Sequence, residues 1–138
     1  EELTEAGMEM DDSCILWVDT VGMQNLEESR SLIMGRFLGC SAVVCYNDQI
    51  AFDFVEILAK EGIHVPEHIS VVSIDDSELT VLGDVALTSV PHPMDRLGEK
   101  AAINLLQMIG NPSFDATYEF DAQVVVRDSV KTLELEEA

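Results

Sequence analysis

The sequence predicts an α/β fold in which an open parallel sheet is flanked by helices. Two short runs, at 42–46 and 69–74, are almost wholly apolar and rich in β-branched residues. Such runs are typical of strands that are buried on both faces of a parallel sheet. Between them, apolar residues recur at helical spacing over 50–59, and Gly62 is placed to end that helix. The segment 41–74 is therefore predicted to be a β-α-β unit.

The part of the chain before this unit predicts two helical segments and a strand. Residues 1–6 have the pattern of the last turns of a helix. The apolar run 14–18 predicts a buried strand, in which Trp17 is expected in the core rather than stacked on a ligand. A helix is predicted over 25–38, where Gly39 closes it.

The part after the unit predicts a strand at 86–90, a long helix and two further short strands. Prolines follow the strand and end it, and Pro93 suits the first turn of a helix over 94–109. The apolar stripe of this helix requires a partner surface. Its residues are Met94, Leu97, Ala101, Leu105 and Met108, widened by Ala102 and Ile109. The strands are predicted at 118–120 and 124–126, ahead of a mobile acidic tail at 134–137.

The composition favours one soluble cytoplasmic domain that does not itself hold nucleic acid. The 138 residues carry 27 acidic and 7 basic side chains, a formal net charge of −20. Such a field repels a phosphate backbone and an anionic membrane. The cysteines, Cys14, Cys40 and Cys45, are predicted to be reduced core residues of a cytosolic protein. No apolar run approaches the roughly 20 residues of a membrane span, and no secretory leader opens the chain.

Two polar stops predict a ligand site at one edge of the sheet. Asn47 follows the first strand of the unit, and Asp75 follows the second. In open parallel sheets, small ligands bind beyond the carboxyl ends of the strands, which is where both side chains emerge. The alternatives are a helix N-cap for Asn47 and a strand-ending turn for Asp75.

Four stretches, in matching order and spacing, resemble the effector-binding domain of LacI/GalR-type transcription repressors. They are AVVCYNDQIA at 42–51, VPEHISVVSIDDS at 65–77, LTSVPHP at 87–93 running into Leu97-Gly98, and VVVRDS at 124–129. Within that family, the tyrosine before Asn-Asp, the SIDDS motif and the Thr-Ser-Val-x-His-Pro motif are most similar to arabinose repressors. Arabinose repressors join this sensor to a winged-helix DNA-binding domain.

The resemblance implies a type I periplasmic-binding-protein-like fold, truncated here to about one lobe. Residues 1–138 would be a partial ligand-sensor domain. Its C-terminal lobe would comprise 1–85 and 111–131, and a strand and helix at 86–110 would cross to the other lobe. An acidic tail would follow at 132–138. The DNA-binding domain, most of the first lobe and one central strand are expected to be absent. The neighbours of that strand are then expected to pair with each other or with a second molecule.

The resemblance also assigns sugar contacts. Asn47 and Asp75 match the sugar-contacting positions of the family. Their types suit the task, because carboxylates and amides together satisfy hydroxyls that both donate and accept. His92 lies at the crossover, where it can reach a sugar hydroxyl or serve as a hinge residue between two prolines. Asp19 and Asp76 are further candidates, with a solvent-facing loop for Asp19 and a bracing role for Asp76 as the alternatives.

Other chemistries fit the sequence poorly. His64 and His68 have the spacing of a zinc motif, but Pro66 breaks the helix that the motif needs. The pair Asp75-Asp76 lacks the lysine and the early acidic pair of a phospho-acceptor pocket. No nucleophile has a base beside it, so no catalytic residue, metal or cofactor is expected. Arg127 is expected to be structural, pairing with an acid.

The sequence thus predicts the sensor of a cytoplasmic repressor of carbohydrate metabolism, and the resemblance to arabinose repressors implies L-arabinose as its effector. Its expected partners are a small carbohydrate, a second copy of itself, and DNA only through a separate N-terminal domain. No membrane contact is expected. Residues 49–61 and 77–87, including Phe54 and Leu79, are the candidate dimer interface. The alternatives are a free-standing sugar-binding receptor of a transport system and a flavodoxin-like phosphotransfer domain.

Overall fold

The computed structural model describes Gly7, residues 12–17 and residues 26–132. The predicted helical segment at 1–6 and the acidic tail at 134–137 lie outside the described residues. The described chain contains three helices and three strands, with short 3₁₀ turns at Asp12–Cys14 and Glu78–Val81. In order they are α1 (Leu26–Phe37), β1 (Ala42–Val44), α2 (Asp48–Lys60), β2 (Ser70–Asp75), β3 (Thr88–Pro91) and α3 (Met94–Gly110).

The strands form the predicted parallel sheet, in the order β1-β2-β3. Val44 of β1 lies beside Val72 of β2, and Asp75 at the end of β2 lies beside Pro91 of β3. All three carboxyl ends therefore meet at one edge. The β1-α2-β2 unit confirms the predicted β-α-β unit. The strand expected to cross to the other lobe is instead part of this sheet, because β3 is hydrogen-bonded along β2.

The core lies between α2 and the sheet. The buried face of α2 carries Ala51, Phe54, Ile57 and Leu58. Burying each of the larger side chains contributes roughly 1.5–3 kcal/mol. Helix α1 joins this core through an edge-to-face contact between Phe37 and Phe54, with ring centroids 5.8 Å apart. Phe54 is therefore a core residue, and its prediction as part of a dimer interface is wrong.

Helix α3 turns its polar side toward the chain and leaves its apolar stripe open. Asn104 is its buried residue, and the Asn104 amide donates to the carbonyl of Ala116 at 2.8 Å. The Arg96 guanidinium lies over the Phe120 ring. Exposed apolar residues of α3 include Met94, Leu97, Leu105, Leu106, Met108 and Ile109. The partner surface that the stripe requires is thus not supplied by the described residues.

Within the described residues, three of the expected strands are not formed. Residues 12–14 make a 3₁₀ turn and 15–17 have no regular structure; the side chain of Trp17 is 89% exposed, so its predicted core position is wrong. The segment 118–120 has no strand partner. Its two rings, Tyr118 and Phe120, lie against the cationic side chains of Lys100 and Arg96 on α3. The run 124–126 contributes a single antiparallel bridge, between Val125 and Ser89.

The outer edge of β1 has no strand partner among the described residues. Cys45 donates its backbone N–H to Val72, so the hydrogen bonds of β1 point toward β2. The described residues of the predicted strand 14–18 do not pair with this edge. Pairing of the strands beside the strand expected to be absent, with each other or with a second molecule, stays a prediction.

The cysteines differ in environment. Cys45 is buried, and its burial raises the pKa of the thiol to about 12. Cys40 is half-buried, whereas Cys14 is exposed, so the prediction of a core position is wrong for Cys14. No helix in the described ranges is both long and apolar enough to cross a membrane.

Candidate functional site

The carboxyl ends of β2 and β3 bring two predicted site residues together. The backbone N–H of His92 donates to the carbonyl of Asp75 at 3.2 Å. Their side chains face each other as well, with Nδ1 of His92 3.7 Å from Oδ1 of Asp75. Both side chains are about half exposed (47% and 44%), so they remain accessible to a ligand. A carboxylate and an imidazole at this edge can accept from and donate to a polar small molecule.

Asn47 reaches the same edge from β1. It lies three residues beyond Val44, as Asp75 lies three residues beyond Val72, the residue paired with Val44. Its side-chain oxygen caps α2 by accepting the N–H of Ile50 at 2.9 Å. The side-chain nitrogen makes no hydrogen bond with any described residue. The cap therefore uses the acceptor of Asn47 and leaves its two donors available.

Asp48 lies below this edge as a buried carboxylate. It is 1% exposed and accepts hydrogen bonds from three serines. The Ser73 and Ser89 hydroxyls donate to one oxygen at 2.5 and 2.8 Å, and the Ser77 N–H donates to the other at 2.6 Å. Burial opposes ionisation, but these hydrogen bonds outweigh it and hold the pKa of Asp48 below its usual value.

The turn that follows β2 has an unusual backbone. Asp75 and Asp76 both have positive φ, at 112° and 54°. Such conformations cost roughly 1–3 kcal/mol each for residues with a Cβ, so the surrounding contacts must stabilise them. The N–H of Asp76 donates to the Ser89 hydroxyl at 3.1 Å.

Arg127 braces the same turn from the C-terminal segment. Its guanidinium donates to Oδ1 of Asp76 at 2.7 Å and to the carbonyl of Leu87 at 2.8 Å. Its backbone N–H donates to the Thr88 hydroxyl at 2.9 Å. The Asp76 carboxylate is thus already engaged by a cation. Asp19, the remaining candidate, lies outside the described residues.

The two histidines of the zinc-like spacing form a local contact instead. The N–H of His64 donates to Nδ1 of His68 at 2.8 Å, and the rings stack with centroids 5.5 Å apart. Across the described segments, no three His, Cys, Asp or Glu side chains are grouped so that they could hold a metal ion.

Two grooves lie away from the strand ends. The larger, about 520 Å³, runs between α2 and the segment 83–87. Its lining is a mixture of apolar and charged side chains, including Phe52, Val55, Ala59, Ile63, Val85 and Leu87 together with Glu56, Glu67 and Asp84. The smaller, about 350 Å³, lies between α1 and the loop before β2. The larger groove coincides with the two segments predicted as a dimer interface.

Sequence reasoning missed the serines that surround Asp48. Ser73 and Ser89 are fully buried, Ser73 between a valine and an isoleucine and Ser89 between a threonine and a valine. A serine buried in a strand needs a hydrogen-bonding partner, and that was the available signal. The identity of the partner depends on strand pairing that the sequence does not specify.

Comparison with known proteins places this geometry among periplasmic binding protein-like domains, whose family model matches residues 4–130. The arabinose metabolism transcriptional repressor of Geobacillus stearothermophilus is 36% identical over 95 residues, which are 67% of this chain and 26% of the repressor. The regulator MalR of Streptomyces coelicolor is 36% identical over 104 residues, which are 75% of this chain and 30% of MalR. The chain thus spans less than a third of the length of these relatives.

Solved structures of regulators have the same fold. A complex of the transcriptional regulator CelR with cellobiose superimposes with a TM-score of 0.77 at 26% identity, covering 92% of this chain and 39% of CelR. The transcription regulator CcpA of Lactococcus lactis superimposes with a TM-score of 0.74 at 26% identity, covering 94% of this chain and 47% of CcpA. These relatives are described as regulators of transcription.

Proposed function

The chain belongs to the family of periplasmic binding protein-like domains, and from this premise we propose that it is the effector-binding part of a sugar-responsive transcriptional repressor. The observation that carries the proposal is the pairing of Asp75 with His92 at the carboxyl edge of the sheet. Asn47 adds two hydrogen-bond donors to the same edge. Carboxylate, amide and imidazole together match the mixed donors and acceptors of neighbouring sugar hydroxyls.

The proposed effector is L-arabinose. Two of the curated relatives are described as arabinose metabolism transcriptional repressors, at 36% and 33% identity. In the intact protein, the sugar would bridge two lobes and shift the population toward a closed arrangement. Effector binding would then change the spacing of the DNA-binding domains across a dimer. This coupling arises because the two lobe arrangements bind the effector with different affinity.

The other lobe would also explain the open stripe of α3. Seven apolar side chains along this helix need a covering surface, and the described residues do not supply one. Packing of the stripe against a second lobe would place α3 between the two lobes. The proposal thus retains the predicted crossover for α3, while β3 stays in the sheet described above.

A repressor is favoured over a free-standing receptor by the relatives, which are transcription regulators. The proposed repressor acts in the cytoplasm and has no enzymatic activity. DNA contact would be made by a separate domain, because a net charge of −20 repels a phosphate backbone.

The proposal is tested by calorimetric titration of the full-length protein with L-arabinose, other pentoses and hexoses. We expect selective binding that Asp75→Ala weakens about 10- to 100-fold, since a hydrogen bond to a charged group contributes roughly 1.5–3 kcal/mol. Asn47→Asp provides a matched control for Asn47→Ala. Aspartate keeps the acceptor that caps α2, removes the amide donors and adds one negative charge.

We expect both Asn47 variants to lose affinity, but only Asn47→Ala to lose helix-capping stability. If Asn47→Asp binds as tightly as the wild type, the amide donors do not contact the sugar. Silence of the wild-type protein across the whole panel would contradict the sugar assignment and leave the fold assignment intact.

A further inference from the structure

Asp48 joins the three elements that carry the candidate site. It lies in the first turn of α2, directly after Asn47. One carboxylate oxygen accepts from Ser73 of β2 and from Ser89 of β3, at 2.5 and 2.8 Å. A helix start and two strands are thereby connected through one buried group.

The hydrogen bonds around Asp48 have a defined direction. The Ser89 hydroxyl accepts the N–H of Asp76, so its own proton is directed to Asp48. The next amide along the chain, that of Ser77, donates directly to the other oxygen of Asp48 at 2.6 Å. Two consecutive amides of the turn are thus held by the Asp48 carboxylate. The Ser77 amide donates to it directly, and the Asp76 amide is linked to it through the Ser89 hydroxyl.

These two amides belong to the turn in which Asp75 and Asp76 have positive φ. An L-residue leaves that conformation unless its surroundings hold it. The carbonyl of Asp75 accepts from His92, so the turn also sets the position of His92 relative to the Asp75 carboxylate.

We propose that Asp48 is a positioning residue for the effector site: its carboxylate holds the 75–77 turn, and through it Asp75 and His92, in the arrangement that binds the ligand. Asp48 is buried and does not itself contact the ligand. The inference rests on the proposed function for its ligand and on the described hydrogen bonds for its mechanism.

Charge on Asp48 is part of this role. All of its described partners are donors, which matches an ionised carboxylate. Its hydrogen bonds hold the pKa of Asp48 below the usual value, so it is ionised at neutral pH. A neutral amide at this position turns one acceptor into a donor and opposes at least one partner.

The test compares Asp48→Asn with Ile57→Ala in the full-length protein. Ile57 is a core residue near the C-terminal end of the same helix, so its truncation lowers stability without touching the turn. Amide hydrogen exchange at Asp76 and Ser77 is measured at a temperature where both variants are folded. L-arabinose and the pentose and hexose panel are titrated under the same conditions.

We expect Asp48→Asn to speed exchange of the Ser77 amide and to weaken sugar binding, each at least about tenfold. Ile57→Ala should lower the unfolding temperature and leave the affinity within about twofold, since a remote core cavity acts on stability alone. If Asp48→Asn does not fold, Ser89→Ala replaces it, with faster exchange expected at the Asp76 amide.

Unchanged exchange at Ser77 in Asp48→Asn would overturn the inference, as would faster exchange with unchanged affinity. A different result would contradict the proposed function. In that case the wild-type protein binds no sugar of the panel, while the exchange rates still report whether Asp48 holds the turn.

Discussion

At the scale of single residues, the charge on Asp48 makes a prediction about acid stability. Its hydrogen bonds hold the pKa of Asp48 in the folded chain below the usual value, so the unfolded chain takes up the proton first as the pH falls. The contribution of Asp48 to the free energy of unfolding is therefore complete above the usual pKa. It is lost as the pH falls toward the lower, folded value.

We expect Asp48→Asn to destabilise the protein by about 2 kcal/mol at neutral pH, because buried donors lose a charged acceptor. The difference in unfolding free energy between the wild type and Asp48→Asn should be constant above about pH 5. It should become smaller below about pH 4. Thermal unfolding across this range measures it, with Asp121→Asn at an exposed position as the control. A difference that does not narrow in acid would mean that the lost interaction does not depend on charge.

The residues of the site show which parts of it a sequence predicts. Asn47 and Asp75 could be placed at one edge because they follow apolar strands of a β-α-β unit. The contact between Asp75 and His92 could not be derived in this way, because it depends on β3 lying beside β2. The positive φ of Asp75 and Asp76 was also beyond the sequence, since no glycine marks the turn.

At the scale of elements, the end of α2 gives a clean test of backbone conformation. Gly62 has a φ of +72°, and a Cβ added there would meet no atom within 4 Å. Gly62→Ala should therefore cost about 1 kcal/mol, through conformation alone. Gly39 has the same open surroundings without a positive φ, so Gly39→Ala is the matched control.

Urea unfolding of the two glycine variants should separate them. We expect the midpoint to fall for Gly62→Ala and to stay within experimental error for Gly39→Ala. Equal losses in both variants would point to side-chain crowding instead of the left-handed conformation.

Helices were predicted more accurately than isolated strands. The periodicity of 50–59 and its closing glycine determine α2 within the chain segment itself. A strand such as 118–120 needs a neighbour to pair with, and the sequence does not say whether one is present. In the structure, Arg96 and Lys100 of α3 hold the two rings of that segment instead.

At the scale of the whole molecule, the groove along α2 predicts a homodimer. Val55 and Val85 line it with other apolar side chains, next to the half-buried Leu79 of the candidate interface. Burial of such a surface between two copies has to exceed the repulsion of their net charges of −20. Association should therefore strengthen as salt is raised from about 10 to 150 mM, which screens that repulsion.

We expect Val55→Asp to shift the protein toward the monomer in sedimentation velocity, because the new carboxylate joins Glu56, Glu67 and Asp84 along the same groove. Val126→Asp, at a position that is 75% exposed, should leave the dimer unchanged. Each substitution makes the chain more acidic by one charge, so a selective loss with Val55→Asp is not an effect of net charge. A wild-type protein that is monomeric at every salt concentration would contradict the interface.

The hydrogen bonds around Asp48 also have a use in biosensor design. They distinguish positions of the site that can be varied from positions that hold the site together. Positions 47, 75 and 92 lie at strand ends, in the proposed effector site, so a library randomised there is expected to change selectivity while keeping the scaffold. The buried carboxylate and the serines at 73 and 89 belong to the scaffold and are best kept fixed, because most replacements would leave donors without an acceptor. At 76, asparagine is the preferred replacement, because it tolerates a left-handed backbone and keeps an acceptor for Arg127.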